Sequence, residues 1–250
     1  MTMSVSGKHA LVTGGGSGIG STIALALAEA GAIVTVCGRR RQQLDEMAAR
    51  HKNIRAETAD VTDQKSIAQL YGRGPFDIVV ANAGGAQSAP AEKISAELWS
   101  NTLNVNLTGA FFSVQPALNG MRAKKWGRIV FIASTAGIRA APYIAPYVAA
   151  KHGVIGLMRT LALETAKDGI TVNAICPSYT ETPMLEQAVA RIVATTKRSE
   201  AEARAALAAK NPQGRFITPQ EVADTVLWLC TEGAASITGQ AISLSGGETW

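Results

Sequence analysis

The 250-residue sequence is short of cysteine, of aromatic residues and of charge, and it contains no long apolar run. Its three cysteines, Cys37, Cys176 and Cys230, are odd in number, far apart and set among apolar neighbours. That pattern argues against a disulfide framework or a zinc site and for reduced core thiols. No apolar stretch reaches membrane-spanning length, and residues 1–8 resemble neither a signal peptide nor a transit peptide. A cytoplasmic protein is therefore expected. The formal net charge of +5 is spread in small groups with no aromatic-basic stripe and no helix-turn-helix signal, which argues against nucleic acid. A basic balance without such a stripe reads either as an ordinary soluble basic enzyme or as a protein whose ligands carry phosphates. His9, His51 and His152 lack ligand-like spacing, so no metal is expected. No repeat, low-complexity tract or Pro/Gly/Ser linker divides the chain, and its length suffices for one large core, so one domain over residues 1–250 is predicted.

What is present is an alternation of short β-branched runs with longer helical patterns, the signature of a doubly wound α/β sheet of Rossmann type. Seven parallel strands are predicted at residues 9–13, 33–37, 54–58, 78–81, 128–133, 171–176 and 241–245. Helices are predicted at 19–30, 40–51, 64–71, 96–124, 146–167 and 219–231. Residues 184–211, rich in Ala, Glu, Lys and Arg, do not fit the alternation and read as an inserted helical lid.

Directly after the first strand comes Thr13-Gly14-Gly15-Gly16-Ser17-Gly18-Ile19-Gly20, followed by an apolar helix. Glycines here permit a tight turn and close approach of a pyrophosphate to bare N–H groups, and the helix N-terminus presents the positive end of its dipole. Strand before and helix after make a dinucleotide the expected ligand. The second strand ends in Cys37-Gly38-Arg39-Arg40-Arg41, where an NAD enzyme offers a carboxylate to the ribose. With no carboxylate to repel a 2'-phosphate and arginines at a helix start, where the macrodipole disfavours them, NADP(H) is predicted, chiefly through Arg39 and with Arg40 beside it. The competing reading is a solvated basic turn.

Tyr147 and Lys151 stand four residues apart, on one face of a predicted helix. An ammonium beside a phenol is expected to lower its pKa and let it exchange a proton at neutral pH. Ser134 follows an apolar strand, at the edge where open α/β sheets bind ligands, and its hydroxyl suits a carbonyl oxygen; Thr135 competes for that role. Asn106 lies in a helical pattern where Asn is unfavourable, which suggests a polar network.

With these motifs in place the whole chain resembles the short-chain dehydrogenase/reductase family, by Thr13-Gly14-xxx-Gly18-x-Gly20, Asp60-Val61, Asn82-Ala83-Gly84, Asn106, Ser134, Tyr147-xxx-Lys151 and Pro177 to Thr182. The resemblance implies a catalytic tetrad of Asn106, Ser134, Tyr147 and Lys151: Ser134 and Tyr147 would hold the carbonyl oxygen, Tyr147 would move the proton, Lys151 would also grip the nicotinamide ribose, and Asn106 would hold a relay water. It also implies cofactor contacts from Gly14, Ser17, Gly18, Ile19 and Gly20 in the turn, from Asp60 and Val61 to the adenine, from Asn82, Ala83 and Gly84 along the channel, and from Pro177 and Thr182 to the nicotinamide. Ala81 replaces an Asn of the usual pattern, Ser178 replaces a Gly, and Ser17 stands where the NADP-preferring branch often has Lys or Arg.

The resemblance is greatest to 3-oxoacyl-thioester reductases and polyketide ketoreductases, implying a ketone or secondary-alcohol substrate. Substrate choice is expected in loops 85–90, 138–144 and 179–211, with Tyr143 and Tyr179 as walls. Arg139, Arg191, Lys197 and Arg198 are candidates for the phosphates of a coenzyme A or carrier-protein arm, or are simply solvated. The helix over 146–167 carries more apolar surface than a one-sided helix needs, which predicts a homo-oligomer, by resemblance a tetramer. Two rival readings remain: an NAD-dependent hydroxyacyl-CoA or secondary-alcohol dehydrogenase, and a non-catalytic NADP(H)-sensing regulator.

Overall fold

The apolar runs Gly127–Ile132 and Ile170–Pro177 are buried along their whole length, as strands are when helices cover both faces of a parallel sheet. The computed structural model describes residues 3–249. Its strands are β1 (His9–Thr13), β2 (Ile33–Gly38), β3 (Ile54–Thr58), β4 (Ile78–Ala81), β5 (Gly127–Ile132), β6 (Ile170–Pro177) and β7 (Ala241–Leu244). All seven pair in parallel, in the order β3-β2-β1-β4-β5-β6-β7. Val12 pairs with Val80, Val80 with Val130 and Val130 with Asn173, so the carboxyl ends of β1, β4, β5 and β6 share one edge. The order reverses between β1 and β4, and that switch opens the crevice where such sheets bind ligands.

Helices α1 (Gly18–Glu29), α2 (Arg41–Ala48) and α10 (Pro219–Cys230) cover one face through Ile23, Leu27, Leu44, Val222 and Val226. The other face is covered by α3 (Gln64–Tyr71), α5 (Gly109–Val114), α6 (Ala117–Lys124) and α7 (Ala145–Thr165), which pack Ile67, Val114, Met121, Val154 and Met158 against it. Fully buried side chains such as Phe131, Leu11 and Met158 each contribute roughly 1.5–3 kcal/mol of transfer free energy. No described helix is long and apolar enough to cross a membrane.

Strand positions agree with expectation to within a residue or two, but one helical prediction needs correction. The single helix expected over 96–124 is broken into α4 (Ala96–Leu103), a π-helical turn (Asn104–Thr108), α5 and α6. Asn106 is the cause: its Nδ2 donates to the Thr102 carbonyl at 2.9 Å, taking the acceptor that the ordinary ladder would use, and an extra residue bulges in. The segment over 184–211 is helical as expected, in two pieces, α8 (Pro183–Thr195) and α9 (Glu200–Ala208), because Ser199 and Glu202 form a capping box that starts a new helix. They close on a small core of their own, Leu185, Val189, Ala203 and Leu207.

Candidate active site

The glycine turn takes the shape its sequence suggests. Gly14 and Gly18 adopt φ of 64° and 56°, a region that L side chains rarely occupy. A β-carbon at Gly20 would lie 2.4 Å from the Gly14 carbonyl oxygen, so the helix sits against the turn only because no side chain intervenes. Ser17 is the N-cap of α1, yet its side chain makes no capping bond and the first turn holds no acid. The N–H groups at that terminus are left for an anion. Thr13 Oγ1 accepts from the backbone N–H of Asn82 and of Ala83, both at 3.0 Å, while Asn82 Nδ2 donates to the Thr13 carbonyl at 2.8 Å. Asn82 therefore braces the turn across the switch point. The sequence places Thr13 at the head of the glycine motif but gives it no role; the structure makes it the hydroxyl that holds Asn82 and Ala83.

The three arginines after β2 separate in space. Arg41 pairs with Asp45 one turn along α2, and Arg40 Nη2 donates to Ser17 Oγ at 3.1 Å. Arg39 is exposed and near enough to Asp60 to help hold that carboxyl low, behind the hydrogen bonds from the Thr62 backbone and hydroxyl. Arg40 thus stands against the phosphate turn, where the sequence pointed first to Arg39. Its guanidinium also brings positive charge to Ser17, the position that lacks a basic residue of its own. Val61 is buried behind Asp60. These features fit a dinucleotide: bare N–H groups for a pyrophosphate and two cations with no carboxylate at the end of β2.

At the carboxyl edge of β5, the extended backbone at Ser134 ends the strand, and α7 begins with Pro146 in its first turn. Tyr147 is half-buried and Lys151, one turn on, is only 4% exposed. Lys151 Nζ donates to the Ile132 carbonyl at 2.8 Å and lies 5.4 Å from the centroid of the Tyr147 ring. A β-carbon at Gly84 would sit 2.6 Å from Asn106 Oδ1 and 3.6 Å from Lys151 Nζ, so the ends of β4, the π-helical turn and α7 converge there. Asn106 exchanges hydrogen bonds with Gly85, accepting from its N–H at 3.2 Å and donating to its carbonyl at 2.9 Å. All four residues expected to form a tetrad are thus gathered at one end of the sheet. Ser134, rather than Thr135, is the hydroxyl beside the phenol.

The electrostatics correct one expectation. Burial pushes the Tyr147 phenol up to about 12, with hydrogen bonding from Ser134 acting the other way. Burial also brings the Lys151 amine down to about 8. The expected acidification of the phenol by the amine is not what the chain's own groups produce: Lys151 directs a proton to Ile132 and lies over the ring face. Thr182 caps α8 next to the turn, its Cγ2 lying 3.5 Å from where a β-carbon of Gly18 would be. Pro177 closes β6. No described group of three or more His, Cys, Asp or Glu is arranged to hold a metal ion.

The loops around this edge are stitched together. Arg191 of α8 donates to the Ser88 carbonyl, and the Ala89 N–H donates to the Tyr143 carbonyl at 2.8 Å. Tyr143 has φ of 68° and leaves a side chain 65% exposed. Arg139 pairs with Glu248. Two of the four cations considered for a phosphate arm are therefore engaged within the chain, while Lys197 and Arg198 remain exposed.

A family model described as short chain dehydrogenase matches residues 8–193. The chain is 38% identical to D-beta-hydroxybutyrate dehydrogenase of Rhizobium meliloti (strain 1021), over 97% of this chain and 98% of that one. It is 34% identical to a 3-oxoacyl-[acyl-carrier-protein] reductase of Thermotoga maritima, over 98% and 99% respectively. Among solved structures, a variant of the actinorhodin polyketide ketoreductase with NADPH superposes with a TM-score of 0.91 at 38% identity, covering 96% of this chain and 97% of that one. On the strength of that match and of the site just described, the chain belongs to the short-chain dehydrogenase/reductase family, oxidoreductases that use a nicotinamide cofactor.

Proposed function

We propose that the protein is an NADP(H)-dependent carbonyl reductase, and that Asn106, Ser134, Tyr147 and Lys151 are its reacting groups. The observation that carries this reading is the convergence of Tyr147, Ser134 and the buried Lys151 at the carboxyl end of β5. A nicotinamide dinucleotide held there would supply or accept the hydride. Ser134 and Tyr147 hold the carbonyl oxygen, and Tyr147 gives it a proton as negative charge develops. A phenol raised to about 12 is protonated at neutral pH, which suits it to donate. An alkoxide is a still stronger base, so this proton transfer runs downhill. Lys151, still mainly an ammonium at neutral pH, orients the ribose and returns a proton to Tyr147, with Asn106 bracing the channel floor at Gly85.

Preference for the 2'-phosphate is supported by Arg39, by Arg40 against Ser17, and by the lack of a carboxylate at Gly38. Gly14, Gly18, Ile19 and Gly20 receive the pyrophosphate, Asp60 and Val61 the adenine, Asn82 to Gly84 the channel side, and Pro177 and Thr182 the nicotinamide end. The substrate class is a ketone, including 3-oxoacyl thioesters; similarity to the Thermotoga reductase supports the latter. Lys197 and Arg198 on the lid are the cations left for a carrier arm. Most of the apolar surface of α7 is taken by its own core, but Leu163 stays 84% exposed, two turns along from the open Gly156, which supports self-association, with a tetramer as the proposed state.

An NAD-dependent 3-hydroxyacyl-CoA or secondary-alcohol dehydrogenase is the second reading, favoured by identity to the Rhizobium dehydrogenase. A panel of ketones and 3-oxoacyl thioesters, assayed with NADPH and NADH on wild type and Tyr147→Phe, decides between them. NADPH-linked turnover that disappears in the Phe variant is expected; comparable turnover by that variant removes the proposed chemistry.

A further inference from the structure

The Glu248 side chain is only 3% exposed although it lies near the C-terminus, and it ties together the loops that follow the neighbouring strands β5 and β6. Its Oε1 receives Arg139, from the loop between β5 and α7, and its Oε2 receives the Ser178 hydroxyl, directly after β6. A carboxylate shielded from water is stable only with such partners, and here they are one full charge and one hydroxyl. The turn that delivers it is equally constrained. Gly246 and Gly247 have φ of 59° and 95°, and a β-carbon at Gly246 would fall 1.9 Å from Asn211 Oδ1, at the base of the lid. The C-terminal turn therefore touches three segments near the reacting groups: the loop leading to Tyr147, the loop leading to Thr182, and Asn211 just after α9. Ser178, a departure from the family pattern, has its explanation in this contact.

We propose that Glu248 is a positioning residue of the reductase site, holding Arg139 and Ser178 so that the loops before Tyr147 and after Pro177 keep a fixed separation around the carbonyl. The proposal rests on the reductase reading given above. Glu248 touches neither Tyr147 nor Lys151, so it acts on how the substrate is seated. Arg139, neutralised by Glu248, is a structural cation and no receiver of substrate phosphate.

Kinetics and amide hydrogen exchange on the full-length protein test this. For Glu248→Gln, kcat/KM for the ketone falls about tenfold, mainly through KM, while the Kd for NADPH read by its fluorescence stays within about twofold. Exchange quickens at residues 138–144 and 178–182 and is unchanged in β1 and α1. Arg139→Gln reproduces these effects and the double variant adds nothing further, since both remove one contact. Glu248→Asp recovers part of the loss. Should Glu248→Gln not fold, Ser178→Ala removes a single hydroxyl and is read by the same exchange. Unchanged exchange in both loops, or losses that multiply in the double variant, overturns the proposal. If exchange is unchanged while Tyr147→Phe is inactive, the tie fails and the reductase reading stands. If the exchange result is as expected while Tyr147→Phe remains active, the tie holds the loops but no reductase site, and the proposal falls together with that reading.

Discussion

Lys151 donates to the carbonyl of Ile132 at 2.8 Å, so the amine of α7 is moored to the last residue of β5 while its neighbour Tyr147 faces Ser134. The mooring fixes helix against strand. It also leaves the ammonium in surroundings that penalise its charge, which gives the site a pH signature and a stability cost.

The pH signature follows from the sign of that shift. Lys151, brought down to about 8, is charged below that value and neutral above it. NADPH-linked reduction is expected to be level in the neutral range and to decline above about pH 8, with a slope approaching tenfold per unit. Alcohol oxidation, which needs Tyr147 to accept a proton, is expected to rise with pH over the same range. Initial-rate profiles in both directions provide the check, and a reductive profile flat through pH 9 counts against the role of Lys151.

The stability cost is present wherever the folded chain carries the charge, at pH below about 8, and is relieved as pH rises toward the ordinary value of 10.5. Its size is about 3 kcal/mol in the neutral range. Lys151→Met removes that cost but orphans the Ile132 carbonyl, leaving a net gain of about 1 kcal/mol, or roughly 3 °C in Tm. The variant is expected to be inactive and more stable, with its advantage shrinking from pH 8 to 10. A melting temperature below that of wild type at neutral pH would contradict this.

Arg40 and Arg39 are expected to carry the dinucleotide preference. Losing a charge-assisted contact to a 2'-phosphate costs about 1.5–3 kcal/mol, so Arg40→Ala should raise KM for NADPH by roughly 10- to 100-fold and leave NADH nearly unchanged. Arg41→Ala, whose partner is Asp45, should do neither. Equal effects on the two dinucleotides would dissociate the arginines from the phosphate.

Asn106→Ala leaves the carbonyls of Thr102 and Gly85 without the amide that serves them. A loss of about 1–3 kcal/mol is expected, roughly 5 °C in Tm, together with a large fall in turnover. A fully active variant of ordinary stability would show that the π-helical turn does not depend on this side chain.

Leu163→Lys places a charge on the one large apolar side chain of α7 that its own core leaves open. Sedimentation at micromolar concentration is expected to find an oligomer for wild type and smaller species for the variant. A wild-type monomer would refute the assembly.

Much of this protein was legible in its residue order. The sheet could be read because each strand is a short β-branched run bounded by turns, and hydrophobic period is a local property. The phosphate turn could be read because only glycine tolerates the backbone at Gly14 and Gly18. The break in the helix over 96–124 could not, since the Asn106 amide that takes the Thr102 carbonyl is also held by Gly85, on another segment. The Arg40 contact with Ser17 and the Glu248 contact with Arg139, separated by 23 and 109 positions, left no local signal at all.

By itself, then, the sequence determined the order of strands and helices, the glycine turn, and which side chains are capable of acid-base chemistry, because those depend on backbone preference and residue type over a few neighbours. Only the tertiary structure decided that burial raises Tyr147 and depresses Lys151, that Arg40 reaches the phosphate turn, and that Glu248 closes the loops. Desolvation and long-range pairing are properties of what the folded chain packs around a group, and no short stretch of residues encodes them.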